Sequence, residues 1–364
     1  MCLFSLSDES VIKMNVAIIG YGGMAGYHEN KIKTINKQGY DIDVIGVYDI
    51  NPAQMQKAIS HDLIAYESAD ALLADKNVDI VLVATPNNFH CDYTVRAANA
   101  GKHVISEKPI ALSSAEAKMM YDAAKKNGVL FEVHQNRRWD KDYVTVKKLF
   151  EQNTLGKVYR FESRVMGSNG IPGEWRRKAA SGGGMMYDWG VHMIDQALYM
   201  VKEKITYIYC RMSYILGEDC DDGFELNIGF ESGLVYRIII GTNSFIPLPR
   251  WQVYGTAGTA SIKGWNSSEG CDITLMKERV EELKGIEAGN GFTKTMSPRT
   301  EKTIDKYNIP LDEPDFVGFY QKFIEAAKGN EEPFVKEAEV MRVMKVMELA
   351  FESAKRNEVI KETF

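Results

Sequence analysis

At 364 residues the chain exceeds what one compact core usually takes, so two domains are expected. Its 45% apolar and 26% charged residues are ordinary for a globular protein. The 44 Lys and Arg against 50 Asp and Glu, a formal charge of -6, include no basic block suited to nucleic acid, and no apolar run approaches the roughly 20 residues that span a bilayer. Cys2, Cys91, Cys210, Cys220 and Cys271 stand far apart with no CxxC or CxxH pair, and the opening MCLFSLSDESVIK lacks the features of a secretion signal. Reduced thiols and a cytoplasmic location are therefore expected, with a short extension before the fold begins near Met14.

In chain order, apolar runs at 16–20, 43–49, 79–85, 103–107 and 129–133 alternate with helical patterns at 24–36, 52–60, 91–100 and 113–127. The runs are continuous, as in strands buried on both faces of a parallel sheet. Pro52 suits a first helical turn, and Ser113 with Glu116 offers a capping box. Residues 14–135 thus predict a doubly wound α/β domain. Beyond them come a helix at 140–152, a strand at 157–165, a glycine break at 181–184 and a helix at 186–201. Strands at 205–216, 223–230, 234–240, 251–254, 259–263 and 272–276 follow without intervening helices. They predict a mostly antiparallel sheet, so 136–364 reads as an α+β domain. The polar, Gly-rich stretch 284–308 is expected to be a long surface loop, and helices at 315–328 and 338–356 close the chain.

The first run leads into Gly20-Tyr21-Gly22-Gly23-Met24-Ala25-Gly26, a GxGxxA form of the dinucleotide fingerprint between a strand and a helix. Gly20 permits the tight turn, Gly22 lets backbone approach a pyrophosphate, and Ala25 keeps the helix near the sheet. Asp49 ends the second run, 24 residues beyond Ala25, where a carboxylate accepts from ribose hydroxyls and repels a 2′-phosphate. NAD is thereby favoured over NADP; a turn or helix-cap role for Asp49 is compatible with this.

Glu107-Lys108-Pro109 ends the fourth run, at the strand ends that face the ligand crevice of a doubly wound sheet. Lys108 is a candidate to face the nicotinamide, the alternative being a surface lysine before a turn. Further on, Gly182-Gly183-Gly184 precedes Asp188, His192 and Asp195, which share one stripe of a regular helix. His192 is a natural proton acceptor near neutral pH, with Asp188 to orient it. A metal held by Asp188, His192 and Asp195 is disfavoured by the lone histidine, so no metal is expected, and a structural histidine remains the other alternative.

Together these segments resemble the glucose–fructose oxidoreductase/inositol dehydrogenase/rhizopine-catabolism (Gfo/Idh/MocA) family. The resemblance is carried by GYGGMA (20–25), Asp49, TPNNFH (85–90), EKP (107–109), HQNRRWDKD (134–142), LGKV (155–158), EWR (174–176) and GGGMMYDWGVHMID (182–195). NRRWD is nearest to scyllo-inositol dehydrogenase-like members. Ala25 departs from the family's third glycine without consequence for the turn.

The resemblance implies an N-terminal Rossmann domain, a C-terminal domain with an open, mostly antiparallel sheet, and a homodimer or homotetramer. It assigns Lys108 and His192 to proton handling, with Asp188 as partner. Gly20, Gly22, Gly23, Met24, Ala25, Asp49, Thr85, Pro86, Asn87, His90, Glu107 and Lys108 are expected to line the cofactor. Arg138, Trp175, Arg176, Asp188 and His192 are expected near the substrate. The expected activity is NAD-dependent interconversion of a secondary alcohol and ketone on a sugar or cyclic polyol. An NAD-using glycosidase and a non-catalytic nucleotide-binding regulator are the alternatives.

Overall fold

The first five apolar runs become parallel strands because they are inaccessible on both faces; Val16, Ile18, Ile80, Leu82, Val104 and Ile105 are fully buried. The computed structural model describes residues 13–265, 267–278, 286–287, 289–294, 298–314 and 318–364. Cys2, the extension before Met14 and part of the 284–308 segment lie outside the described residues or extend beyond them. The strands are β1 (Met14–Ile19), β2 (Ile42–Tyr48), β3 (Ile64–Ala65), β4 (Ile80–Val83), β5 (His103–Ser106) and β6 (Phe131–Val133). Helices α1 (Gly23–Lys37), α2 (Pro52–Ser60), α3 (Ala69–Ala74), α4 (His90–Asn99) and α5 (Ser114–Asn127) connect them. The sheet order is β3-β2-β1-β4-β5-β6, all parallel, so the strand order reverses between β1 and β4. Such a reversal opens a crevice at the carboxyl ends of the central strands.

Local chemistry sets the helix starts. Asn51 caps α2 by accepting from Ala53 N at 3.0 Å, with Pro52 in the first turn. Ser113 Oγ accepts from Glu116 N, but the Glu116 carboxylate reaches Leu112 N at 2.9 Å, one residue beyond the reciprocal partner expected of a capping box. β3 and α3 were not predicted; with two and six residues they are too short to show a period.

A second sheet carries β7 (Val158–Met166), β8 (Ile205–Ser213), β9 (Gly223–Phe230), β10 (Val235–Gly241), β11 (Trp251–Gly255), β12 (Gly258–Ile262), β13 (Cys271–Met276) and, beyond the small pair β14 (Ile286–Glu287) and β15 (Thr293–Lys294), β16 (Ile304–Ile309). Its order is β16-β13-β12-β11-β7-β10-β9-β8, antiparallel except for β7 beside β10. The helices α6 (Lys141–Glu151) and α7 (Val191–Met200) lie on either side of β7 in sequence. Phe161, Tyr236 and Trp251 are its largest buried rings. β16 corrects the expectation of a loop through residue 308: it pairs with β13 as an edge strand whose middle residues are all exposed, so no apolar alternation marks it. Two helices, α8 (Phe319–Ala327) and α9 (Glu337–Arg356), end the chain.

Two compact units result. The first takes the chain as far as Asn136, with Gly173–Val191 and Val317–Glu348; the second takes Arg137–Pro172, His192–Phe316 and Leu349–Phe364. In the first unit, Glu132 accepts from Val335 N at 2.8 Å and Glu348 from Ser114 N at 2.7 Å, fastening the late segment to the parallel sheet. In the second, Ser353 Oγ accepts from Cys210 N at 2.9 Å. Cys91, Cys210 and Cys271 are free thiols, and among the described residues no helix is long and apolar enough to cross a membrane.

His103 Nδ1 accepts the Leu130 amide at 2.9 Å, and burial lowers the pKa of its ring. Folded His103 therefore resists a proton that the unfolded chain takes up near pH ~6.5, and stability must fall as pH drops below that value. Melting temperature measured from about pH 7.5 down to about pH 5.5 should decline. His103→Asn, which keeps an acceptor for Leu130, should decline less steeply; an equal slope would remove His103 from the effect.

Candidate active site

The carboxyl edge of the parallel sheet gathers the loops that the sequence marked. Gly20 turns with φ +90°, and a Cβ there would lie 2.8 Å from the Ala84 carbonyl carbon, so only glycine allows the loop after β1 to touch the loop after β4. Gly22 caps α1 without any side-chain bond, and the first turn of α1 holds no acidic residue. A Cβ on Gly22, Gly23 or Gly26 would meet no protein atom within 4 Å. The turn therefore presents bare amides and a positive helix end, which suits a pyrophosphate. Asp49 is oriented for its part: Oδ2 accepts from Tyr21 N at 2.6 Å and Oδ1 from Asn51 N at 2.7 Å. Asn51, rather than Asp49, caps α2.

Beyond β4, Asn87 is buried and donates to Gly182 O at 2.7 Å. Gly182 has φ +73°, and a Cβ there would lie 2.4 Å from Leu112 and 2.8 Å from Asn87, so the first glycine of the run exists for this approach. Tyr187 donates to Leu112 O at 3.0 Å. Among the described residues the buried Thr85 hydroxyl meets no partner. His90 is 1% exposed, and its ring nitrogens lie 2.8 Å from Pro109 O and 2.9 Å from Thr85 O. It holds the two loops together from beneath. Glu107, expected beside the cofactor, is also buried, with its carboxylate engaged by protein groups.

Lys108 emerges at the end of β5, and its peptide bond to Pro109 is cis. Its Nζ donates to Asp188 Oδ1 at 3.0 Å and to Asp188 O at 2.9 Å. Arg176 Nε lies 3.9 Å from the same oxygen, and the Arg176 guanidinium stacks on Trp175 at 4.4 Å. Lys108 and Asp188 keep 16% and 23% of their side-chain surface, so the pair is sheltered but reachable. With the Asp188 carboxylate beside two cations, the Lys108 ammonium and Arg176, the ammonium can donate to, and hold charge on, an oxygen brought against it.

One prediction needs correction here. Met186–Gly190 is a π turn, and α7 begins only at Val191, so the 3.6-residue stripe of Asp188, His192 and Asp195 is interrupted. His192 is 5% exposed. Asp195 is bound on both oxygens by Arg138, from Nε at 2.8 Å and Nη2 at 2.7 Å, with the guanidinium over the Tyr199 ring at 4.2 Å. That engagement pairs the Asp195 carboxylate with Arg138 inside the second unit. Asp142 likewise accepts from Trp251 Nε1 at 2.7 Å and faces Arg250 Nε at 3.2 Å. Much of the segment 134–142 is thus the wiring of its own unit. Asp140 differs: burial pushes its carboxyl up to about 6, against the opposing pull of Arg137 at 3.0 Å.

Sequence reasoning missed Tyr21, His28, His134 and Tyr320. Tyr21 and His134 stand inside two of the quoted motifs without a role of their own, His28 and Tyr320 lie outside all of them, and Tyr320 reaches His28 from nearly three hundred residues away.

The family model described as "Oxidoreductase family, NAD-binding Rossmann fold" matches residues 14–135, and "GFO/IDH/MocA C-terminal domain" matches residues 143–261. An uncharacterized oxidoreductase of Schizosaccharomyces pombe is 30% identical over 318 residues, 82% of this chain and 85% of that one. The scyllo-inositol 2-dehydrogenase (NADP(+)) IolW of Bacillus subtilis is 25% identical over 361 residues, covering 97% of each. Among solved structures, an NAD-binding protein from Listeria innocua superposes with a TM-score of 0.86 at 39% identity, over 96% of this chain and 97% of that one.

The buried Arg138–Asp195 pair sets a test. Arg138→Met strands a buried carboxylate and should cost about 3–5 kcal/mol in urea unfolding. A loss under about 1 kcal/mol with a raised KM would make Arg138 a substrate contact instead.

Proposed function

The chain belongs to the Gfo/Idh/MocA oxidoreductase family, and on that premise we propose that it is a dehydrogenase moving a hydride between NAD and a secondary alcohol or ketone of a sugar or cyclic polyol. The observation that carries this reading is the Lys108–Asp188 pair, 3.0 Å apart, at the end of β5 on the same carboxyl edge as the dinucleotide loop. A lysine aimed from the carboxyl edge of such a sheet has the position and chemistry for an oxygen that gains and loses charge during hydride transfer. The relative named for scyllo-inositol supports a polyol, and the low identity leaves ring and stereochemistry to experiment.

A bound nicotinamide dinucleotide supplies the hydride acceptor. The amides of Gly22, Gly23, Met24 and Ala25, after the turn at Gly20, would hold its pyrophosphate, and the Asp49 carboxylate would accept from the adenosine ribose hydroxyls. Thr85, Pro86 and Asn87 would border its other half. During oxidation the Lys108 ammonium donates to the substrate oxygen and stabilises its alkoxide character, with Asp188 keeping the ammonium directed. His192 accepts the hydroxyl proton, a role given by the family resemblance. Trp175 and Arg176 bind the polyol, where a stacked guanidinium and an indole suit hydroxyls and a ring face. Asp49, held by two backbone amides, disfavours a 2′-phosphate, so NAD is the preferred cofactor although the B. subtilis relative is named for NADP(+).

Purified protein with NAD or NADP and a panel of inositols, hexoses and sugar acids should reduce the nicotinamide, faster with NAD. No turnover with any polyol, while NAD binds, would defeat the reading. Lys108→Ala should lower kcat by about 10²–10⁴-fold with NAD affinity kept within about twofold; near-normal kcat would remove Lys108 from the chemistry. Asp49→Ala should weaken NAD binding more than NADP binding, and equal losses would contradict its ribose role.

A further inference from the structure

Directly behind the lysine the first unit buries a carboxylate that the chemistry above does not use. Glu107 precedes Lys108 and is 5% exposed. Its Oε1 accepts from His28 Nε2 at 2.7 Å and from His134 Nδ1 at 2.8 Å, while Lys108 N donates to Oε2 at 3.2 Å. On the far side of His28, Nδ1 meets the Tyr320 hydroxyl. The four groups come from α1, the end of β5, the end of β6 and α8, and Phe319 closes edge-on over His134 with ring centroids 4.9 Å apart.

The charge states are set by the same geometry. Burial alone raises the Glu107 pKa, but the charge and hydrogen bond of His134 and the bond from His28 outweigh it and hold the carboxyl well below its usual range. Burial lowers the His28 pKa, so this ring is neutral; one tautomer lets Nε2–H donate to Glu107 while Nδ1 accepts the Tyr320 proton. The three residues have metal-ligand chemistry, with donor atoms all within 4.8 Å of one another. Metal geometry argues the other way. Bonds of about 2.0–2.1 Å at a tetrahedral ion hold donors roughly 3.3 Å apart. Here one carboxylate oxygen touches both imidazoles at hydrogen-bond distance.

A buried carboxylate is costly unless its bonds are complete, and an apolar residue at this position would avoid the cost. What the carboxylate adds is an acceptor, rigidly held, for the backbone amide of Lys108. We propose that Glu107, fixed by His28, His134 and Tyr320, is a positioning residue that sets the direction in which Lys108 leaves the sheet and so holds its ammonium on Asp188. His90 fixes the other side of the segment through Pro109 O. The proposal rests on the reading that Lys108 handles the substrate oxygen.

Glu107→Gln is the discriminating change. The amide oxygen still accepts from both imidazoles, but the amide nitrogen then opposes the Lys108 N–H, donor against donor. Trace acetylation of the resting protein with acetic anhydride, read by peptide mass spectrometry, reports Lys108 reactivity without any substrate. In Glu107→Gln the Lys108 rate should rise at least about threefold relative to Lys102 and Lys33, kcat should fall about ten- to a hundredfold, and KM and NADH affinity should stay within about twofold. Unchanged Lys108 labelling and kcat in the folded variant would overturn the proposal. Should that variant not fold, His134→Gln carries the same readouts with smaller changes in the same direction. Stoichiometric zinc in the dialysed wild-type protein, with Lys108 labelling that rises on chelation, would replace the hydrogen-bond assignment with a metal site and overturn it. If labelling shifts as expected but no polyol turns over, the positioning stands and the polyol reading falls; turnover without a labelling shift sinks the positioning alone.

Discussion

The close contact of Gly20 with the backbone of Ala84 is the constraint on which the ligand-facing edge depends. A left-handed residue without a side chain lets the turn after β1 lie against the loop after β4, at the point where the strand order reverses. From that contact the amides of α1 are directed outward, and Tyr21 N is brought to Asp49. The loops after β4 and β5 follow in order along the same edge. The Gly173–Val191 segment docks on them through Asn87, Leu112 and Lys108.

Each unit buries polar groups in sets of its own. Glu107 accepts from His28 and His134, Arg138 binds both oxygens of Asp195, His90 lies between two backbone carbonyls, and Asp142 accepts from Trp251 beside Arg250, each set within one unit. Hydrophobic packing alone would give a sheet of similar stability but would not fix the direction of a lysine or an asparagine. Completed polar networks do, because each alternative orientation strands a buried donor or acceptor. The half-buried groups of the site, Lys108, Asp188, Trp175 and Arg176, thus sit in a unit whose internal geometry is settled before any ligand arrives.

The α/β half was legible because buried parallel strands leave continuous apolar runs, and because Pro52, Ser113 and the GxGxxA turn punctuate them. α2 over Pro52–Ser60 and β9 over Gly223–Phe230 were readable to their ends. What escaped had physical reasons. β16 is a wet edge strand without alternation, and β3 and α3 are too short for a period. The π turn at Met186–Gly190 obeys neither helical period a sequence reading tests, which broke the stripe through Asp188 and Asp195. Arg138 illustrates a separate limit: an arginine in a motif has the same letters whether it meets a substrate or an aspartate fifty-seven residues away. The cluster around Glu107 is equally silent in sequence, since its members are joined only by the fold.

A crystal structure of the protein with NADH and the polyol it turns over tests the central claim most directly. The account predicts Lys108 Nζ within hydrogen-bond distance of a substrate oxygen, on the carbon that faces the nicotinamide, with the pyrophosphate on the amides of α1. A substrate oxygen bound away from Lys108, or a nicotinamide lying off the carboxyl edge of the sheet, would contradict it.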